Sequence, residues 1–212
     1  MAFIVFEGGD GAGKSTQARA LLRQMQRSGY PVLLTRELGG TPLGETLRRS
    51  LKNRQGTTPL SELFLFLAAR AQLVQQVIQP ALQQQTSVIC DRFTASTVAY
   101  QGYGRGLDLL AIDQLNLIAS SGLSPDLNIL LDLPPQSVFD RKMVGKVTGQ
   151  GDTFDAAPED FHQRVREGYL AQVSSEDSGD ASRNTSPWLV LDATRPRREL
   201  ALEIWQRVRP LL

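Results

Sequence analysis

The chain reads as an α/β protein, a doubly wound parallel five-stranded sheet flanked by helices. Three observations predict this. Five short apolar runs are spread along the 212 residues, helical patterns separate them, and a glycine-rich turn follows the first run directly. Strands joined through helices lie parallel, because each crossover brings the chain back to start the next strand in the same direction. That length suits one domain with a full core. No linker or internal repeat interrupts it, so residues 1–212 read as a single domain.

Each element has its own signal. "FIVFE" (3–7) is continuously apolar up to its last residue, as a strand covered on both faces should be. From Ser15, the residues Ala18, Leu21, Leu22 and Met25 recur at helical spacing, and Gly29 supplies a stop. "PVLLT" (31–35) is the second strand. Thr41-Pro42 reads as a cap with proline in the first turn of a helix through Leu43, Leu47 and Leu51. A long helical pattern begins near Leu60, and Pro80 is expected to kink or end it. "SVIC" (87–90), "LNILLDL" (127–133) and "WLVLD" (188–192) are the remaining strands. A last helix places Leu200, Ile204 and Val208 on one face. The polar stretch 174–186 is expected to be a mobile loop.

Composition narrows the functional classes. Hydrophobic residues at 41% and charged residues at 21% suit a globular domain rather than a disordered chain. A formal net charge of +1 gives no overall field for nucleic acid or an anionic membrane, so cationic chemistry must be local. The single Cys90 excludes an internal disulfide framework and fits a reducing compartment. There is neither a signal-peptide pattern at Met1–Phe6 nor a membrane-length apolar window, so a cytoplasmic protein is expected.

The turn after the first strand carries the chemistry. Gly8, Gly9, Asp10, Gly11, Ala12, Gly13, Lys14 and Ser15, with Thr16 behind them, match G-x-x-x-x-G-K-[ST] between a strand and a helix. Small residues let successive backbone N–H groups turn inward on a phosphate at a helix N-terminus. Lys14 can reach the β- and γ-phosphates of a nucleoside triphosphate, and the Ser15 hydroxyl can ligate Mg²⁺. No N-K-x-D tetrad is present to read guanine, which argues against a GTPase. Three stretches suit a second substrate: "TRELGGT" (35–41), "FLAAR" (66–70) and "CDRFTASTVAYQGYGRG" (90–106). Phe66 and Arg70 fall at i and i+4, an aromatic plane and a fork of donors on one helical face.

Together, "EGGDGAGKST", "TRELGGT", "DRFTASTVAYQGYGRG" and "LDL" resemble the bacterial thymidylate kinases. The resemblance implies a P-loop nucleoside monophosphate kinase-like fold with a lid at about 142–158. It implies transfer of the γ-phosphate of ATP to dTMP, giving dTDP and ADP in dTTP synthesis, by a homodimer using Mg²⁺. Carried onto this chain, it gives Asp10 the sugar 3′-hydroxyl, Phe66 the thymine face and Arg70 the thymine O4. Gln101 also reads the base edge, Ser96 and Thr97 line the pocket, and Tyr100 crowds the sugar 2′ position. Arg92 grips the acceptor phosphate, with Arg36, Glu37 and Arg48 near it, and Asp91 organises Mg²⁺ through water beside Ser15 or supports the reacting oxygens.

Two departures qualify the resemblance. Leu38 stands where the family has proline, so the loop carrying Arg36 and Glu37 is expected to sit differently or move more. The lid stretch Asp152-Thr153-Phe154-Asp155 lacks the family's arginine, so Arg141 or Lys146 is expected to supply the transition-state cation. Asp132 reads as structural and His162 as a surface group. Two alternatives stay open: a kinase for another nucleoside monophosphate, and a nucleotide-binding module with weakened catalysis.

Overall fold

The computed structural model describes residues 1–52, 57–137, 157–177 and 186–212. Its five strands are β1 (Phe3–Glu7), β2 (Val32–Arg36), β3 (Ser87–Asp91), β4 (Leu127–Asp132) and β5 (Trp188–Asp192). They form one sheet in the order β2-β3-β1-β4-β5, and every pairing is parallel. β1 is therefore central, and all five of its residues are buried. Its alternating side chains divide the core. Ile4 and Phe6 join Ala18, Leu21 and Met25 of helix α1 (Lys14–Arg27) and Leu200, Ile204 and Val208 of the C-terminal helix on one face. Phe3 and Val5 meet Leu73, Val74, Ile78 and Phe93 on the other. Each such side chain removed from water contributes about 1.5–3 kcal/mol, which is why a strand this short is held firmly.

The remaining helices arrange the upper edge of this sheet. Helix α2 (Pro42–Lys52) starts where Thr41 accepts a bond from the Gly44 amide at 3.0 Å, as its cap signal predicts. Helix α3 (Pro59–Leu73) is capped by Thr58, continues through a π-helical stretch (Val74–Ile78) and passes into α4 (Gln79–Gln83). Pro80 thus does not end the helix. The wide π turn lies directly before it, and Pro80 falls in the first turn of α4, where its missing N–H is least needed.

Two helical segments had no assignment in the sequence. Helix α5 (Thr94–Thr97) runs into a π-helical stretch (Val98–Gly104), and α6 (Leu109–Ala119) is capped by Asp108. Helix α7 (Glu159–Asp177) packs Tyr169, Leu170 and Val173 into one cluster with Tyr100 and Trp188, and its last turn runs into the stretch expected to be loop. Helix α8 (Arg197–Val208) closes the fold. Leu38 is buried with Leu51 and Ala69, so apolar packing ties its loop to α2 and α3; the Glu37–Leu38 peptide is cis.

Candidate active site

β1, β3 and β4 end together, and the turn after β1 opens over them. Gly8, at φ 134°, lies so close to β4 that a Cβ would come within 2.5 Å of the Leu131 carbonyl oxygen. Gly13 enters α1 at φ 98°, a left-handed geometry that glycine adopts without cost. Lys14 folds back so that its ammonium donates to the Gly9 carbonyl at 2.7 Å. Burial, helped by the nearby positive charge of Arg92, pushes that ammonium down to about 8, while Asp10, Asp91 and Glu7 oppose the shift.

The two groups expected at Mg²⁺ meet across the chain: the Ser15 hydroxyl donates to the Asp91 carboxylate at 2.5 Å. A hydroxyl and a carboxylate side by side at a phosphate loop form the hard oxygen set that suits Mg²⁺ with substrate phosphates and water.

Arg92 occupies the middle of the site. Its backbone is left-handed, at φ 74°, an uncommon conformation for a non-glycine residue and one found preferentially at functional sites. One end of its guanidinium donates to Gly8 O at 3.0 Å, Ser96 at 3.2 Å and the Tyr169 hydroxyl at 3.0 Å. The other donates to Asp10 at 2.6 Å and Tyr100 at 2.9 Å. Tyr100 in turn donates to Asp10 at 2.8 Å. Burial alone would raise the Asp10 carboxyl, but Arg92 and Lys14 outweigh it and hold Asp10 below the usual carboxylate range. Behind Arg92 lies Glu7, which accepts from the Phe93 amide at 2.8 Å, Ser96 at 2.6 Å and Tyr169 at 3.0 Å. Its burial raises its pKa in spite of those bonds.

A second group forms along α3, where Glu62, Phe66 and Arg70 are spaced four apart and share one face. Phe66 is half-buried. Arg70 is fully buried, held by Glu37 at 2.6–3.1 Å, Thr97 at 2.9 Å, Asn116 at 2.5 Å and the Phe93 carbonyl at 3.1 Å. Glu37 and Thr97, expected at the acceptor, thus direct their polar atoms to Arg70. Gln101 is buried and donates to Glu62 at 2.6 Å. Arg36 is half exposed and pairs with Glu45 at 2.8 Å, and Arg48 makes a long 3.5 Å contact to Leu38 O.

Asp132 is structural, forming a two-bond pair with Arg166 of α7 at 2.7 and 2.9 Å. His162 is half-buried rather than a surface group, and with Arg166 it lines a cleft beside Gly9 and Asp10. Arg141, Lys146 and Thr153 lie outside the described residues.

Sequence reading had missed Glu7, Glu62, Asn116 and Tyr169. Two signals were present: Glu7 is an acid ending a buried strand, and Glu62 falls on the Phe66–Arg70 stripe.

A G-x-x-x-x-G-K-[ST] loop at the end of a central parallel strand, faced by a part-buried arginine that it shares with Asp10 and Tyr100, defines a P-loop nucleoside monophosphate kinase. Comparison with known proteins agrees. The family described as Thymidylate kinase matches residues 6–204. A thymidylate kinase of Dehalococcoides mccartyi (strain ATCC BAA-2100 / JCM 16839 / KCTC 5957 / BAV1) is 45% identical over 212 residues, covering 99% of this chain and 96% of that protein. One from Synechococcus sp. (strain JA-3-3Ab) is 44% identical over 210 residues, covering 99% and 96%. The crystal structure of thymidylate kinase from Ehrlichia chaffeensis superposes with a TM-score of 0.75 at 34% identity, covering 98% of each chain. The chain belongs to the thymidylate kinase family, which phosphorylates dTMP to dTDP.

Proposed function

We propose that ATP and dTMP are held head to head in this site, and that the residues divide as follows. The amides of Gly8–Ser15, with Thr16 behind them, cradle the ATP phosphates, and Lys14 neutralises charge building on the transferred group. Arg92 grips the dTMP phosphate and aims it at the loop, Tyr100 and Asp10 meet the sugar, and Phe66 stacks on thymine. Arg70 and Gln101 are the base readers, with Ser96 and Thr97 beside them. Ser15 and Asp91 would hold Mg²⁺, which would supply positive charge to neutralise the phosphates.

The acceptor phosphate is already ionised, so the reaction needs alignment and charge neutralisation rather than a general base. The observation that carries this division is Arg92: one guanidinium tied at once to the phosphate loop through Gly8 O, to Asp10 and to Tyr100. We assign the transition-state cation of the lid to Arg141 or Lys146, and take the chain as one kinase domain acting in the cytoplasm. Leu60 and Phe64 on α3 and Leu110, Leu117 and Ile118 on α6 are exposed apolar residues on two packed helices, which supports a homodimer through that face.

ADP release measured with dTMP, dUMP, dCMP, dGMP and AMP as acceptors tests the reading. The expected result is turnover with dTMP well above the others; equal or greater turnover with a purine acceptor overturns the division of roles.

A further inference from the structure

The side-chain amide of Gln101 is tied on one branch only. Its Nε2 donates to Glu62 at 2.6 Å, while its Oε1 has no hydrogen-bond partner among the described residues and is not a sealed, unsatisfied atom. Both residues are almost fully buried, Gln101 at 1% and Glu62 at 2% exposure. An ionised carboxylate only accepts hydrogen bonds. Glu62, which also faces Arg105 at 3.4 Å, can therefore hold the amide in just one of its two orientations. In that orientation Nε2 turns to α3 and the carbonyl is the branch presented elsewhere. Glu62 lies on the same α3 face as Phe66 and Arg70.

We propose that Glu62 is a specificity-determining positioning residue: it locks the Gln101 amide so that its carbonyl accepts from the N3–H of a thymine-type base. The inference rests on the dTMP reading above and deepens it. Without Glu62 the amide is free to turn over and present its NH₂, which meets the donor N3–H with another donor. A site built to bond a particular N–H discriminates strongly against a base that lacks it, because a buried acceptor is left unpaired. Glu62 never touches the base; it sets which atom does.

The test compares the whole enzyme and Glu62→Gln with two acceptors, dTMP and its 3-deaza analogue, which carries C–H in place of N3–H. With dTMP, Glu62→Gln is expected to raise KM about tenfold or more with kcat within about twofold, the loss of one oriented bond. With the 3-deaza analogue, wild type and variant are expected to share the same KM, since there is no N3–H to read. Equal losses with both acceptors would make Glu62 merely structural and overturn the proposal, as would an unchanged KM for dTMP. Should Glu62→Gln fail to fold, Glu62→Asp keeps the charge beside Arg105 and withdraws the carboxylate by one methylene, and the same comparison decides. A wild-type enzyme that turns over no dTMP would instead remove the functional reading and this proposal with it.

Discussion

Lys14 is a cation kept among cations and acids in a buried place, which ties its titration to the phosphate-binding role proposed for it. Burial, with Arg92 close by, lowers it to about 8 in the free protein. A polyphosphate beside it favours the charged form, so above that pH binding must take up a proton. The sign follows: affinity for ATP is level below about pH 7 and falls as the pH rises through 8. Calorimetric titration with ATP should give a Kd roughly tenfold weaker at pH 9 than at pH 7, the ratio of protonated fractions for a group titrating near 8. A Kd constant over that range would remove Lys14 from the binding equilibrium. Asp10 behaves in the opposite manner, since Arg92 and Lys14 keep it ionised throughout the neutral range.

At the scale of elements, the proposed acceptor side would depend on a tie between the loop after β2 and helix α3. Glu37 reaches Arg70 through three contacts of 2.6–3.1 Å, and side-chain exposure is 3% for Glu37 and none for Arg70. Removing one member of a buried pair strands the other charge, at a cost of about 3–5 kcal/mol. Glu37→Ala is therefore expected to lower stability by that order in denaturant titration, and to weaken dTMP binding more than ATP binding. If both substrates lose affinity equally, the tie does not organise the acceptor side. The partners of Arg70 come from the loop after β2, from α5 and from α6, three elements far apart in sequence. This explains why "FLAAR" announced an aromatic and an arginine on one face but not what would hold them.

Across the whole molecule, α3 and α6, which carry or support the proposed acceptor residues, present an apolar outer face. Ile118 is 74% exposed and Leu110 68%, on a helix whose inner face is already satisfied by Ile112 and Ala119. Ile118→Glu is expected to shift the sedimentation coefficient from dimer to monomer at micromolar concentration, with the far-UV spectrum unchanged. A wild type that already sediments as a monomer would refute the dimer. The sheet was legible in advance because a buried parallel strand needs only a run of apolar residues, and each of the five runs became a strand within a residue or two. The phosphate loop was legible because the amides proposed to hold phosphate belong to one contiguous turn, so spacing alone encodes the geometry. Local sequence thus determined the strands, the first and last helices and the phosphate cradle. Only the tertiary structure decided that Arg92 would be shared by Gly8, Asp10, Tyr100 and Tyr169, that Arg70 would be walled in by Glu37 and Asn116, and that Glu62 would hold Gln101. The physical reason is that a buried polar group must find a partner wherever packing brings one near, and those partners lie up to 84 residues away with no periodicity to mark them.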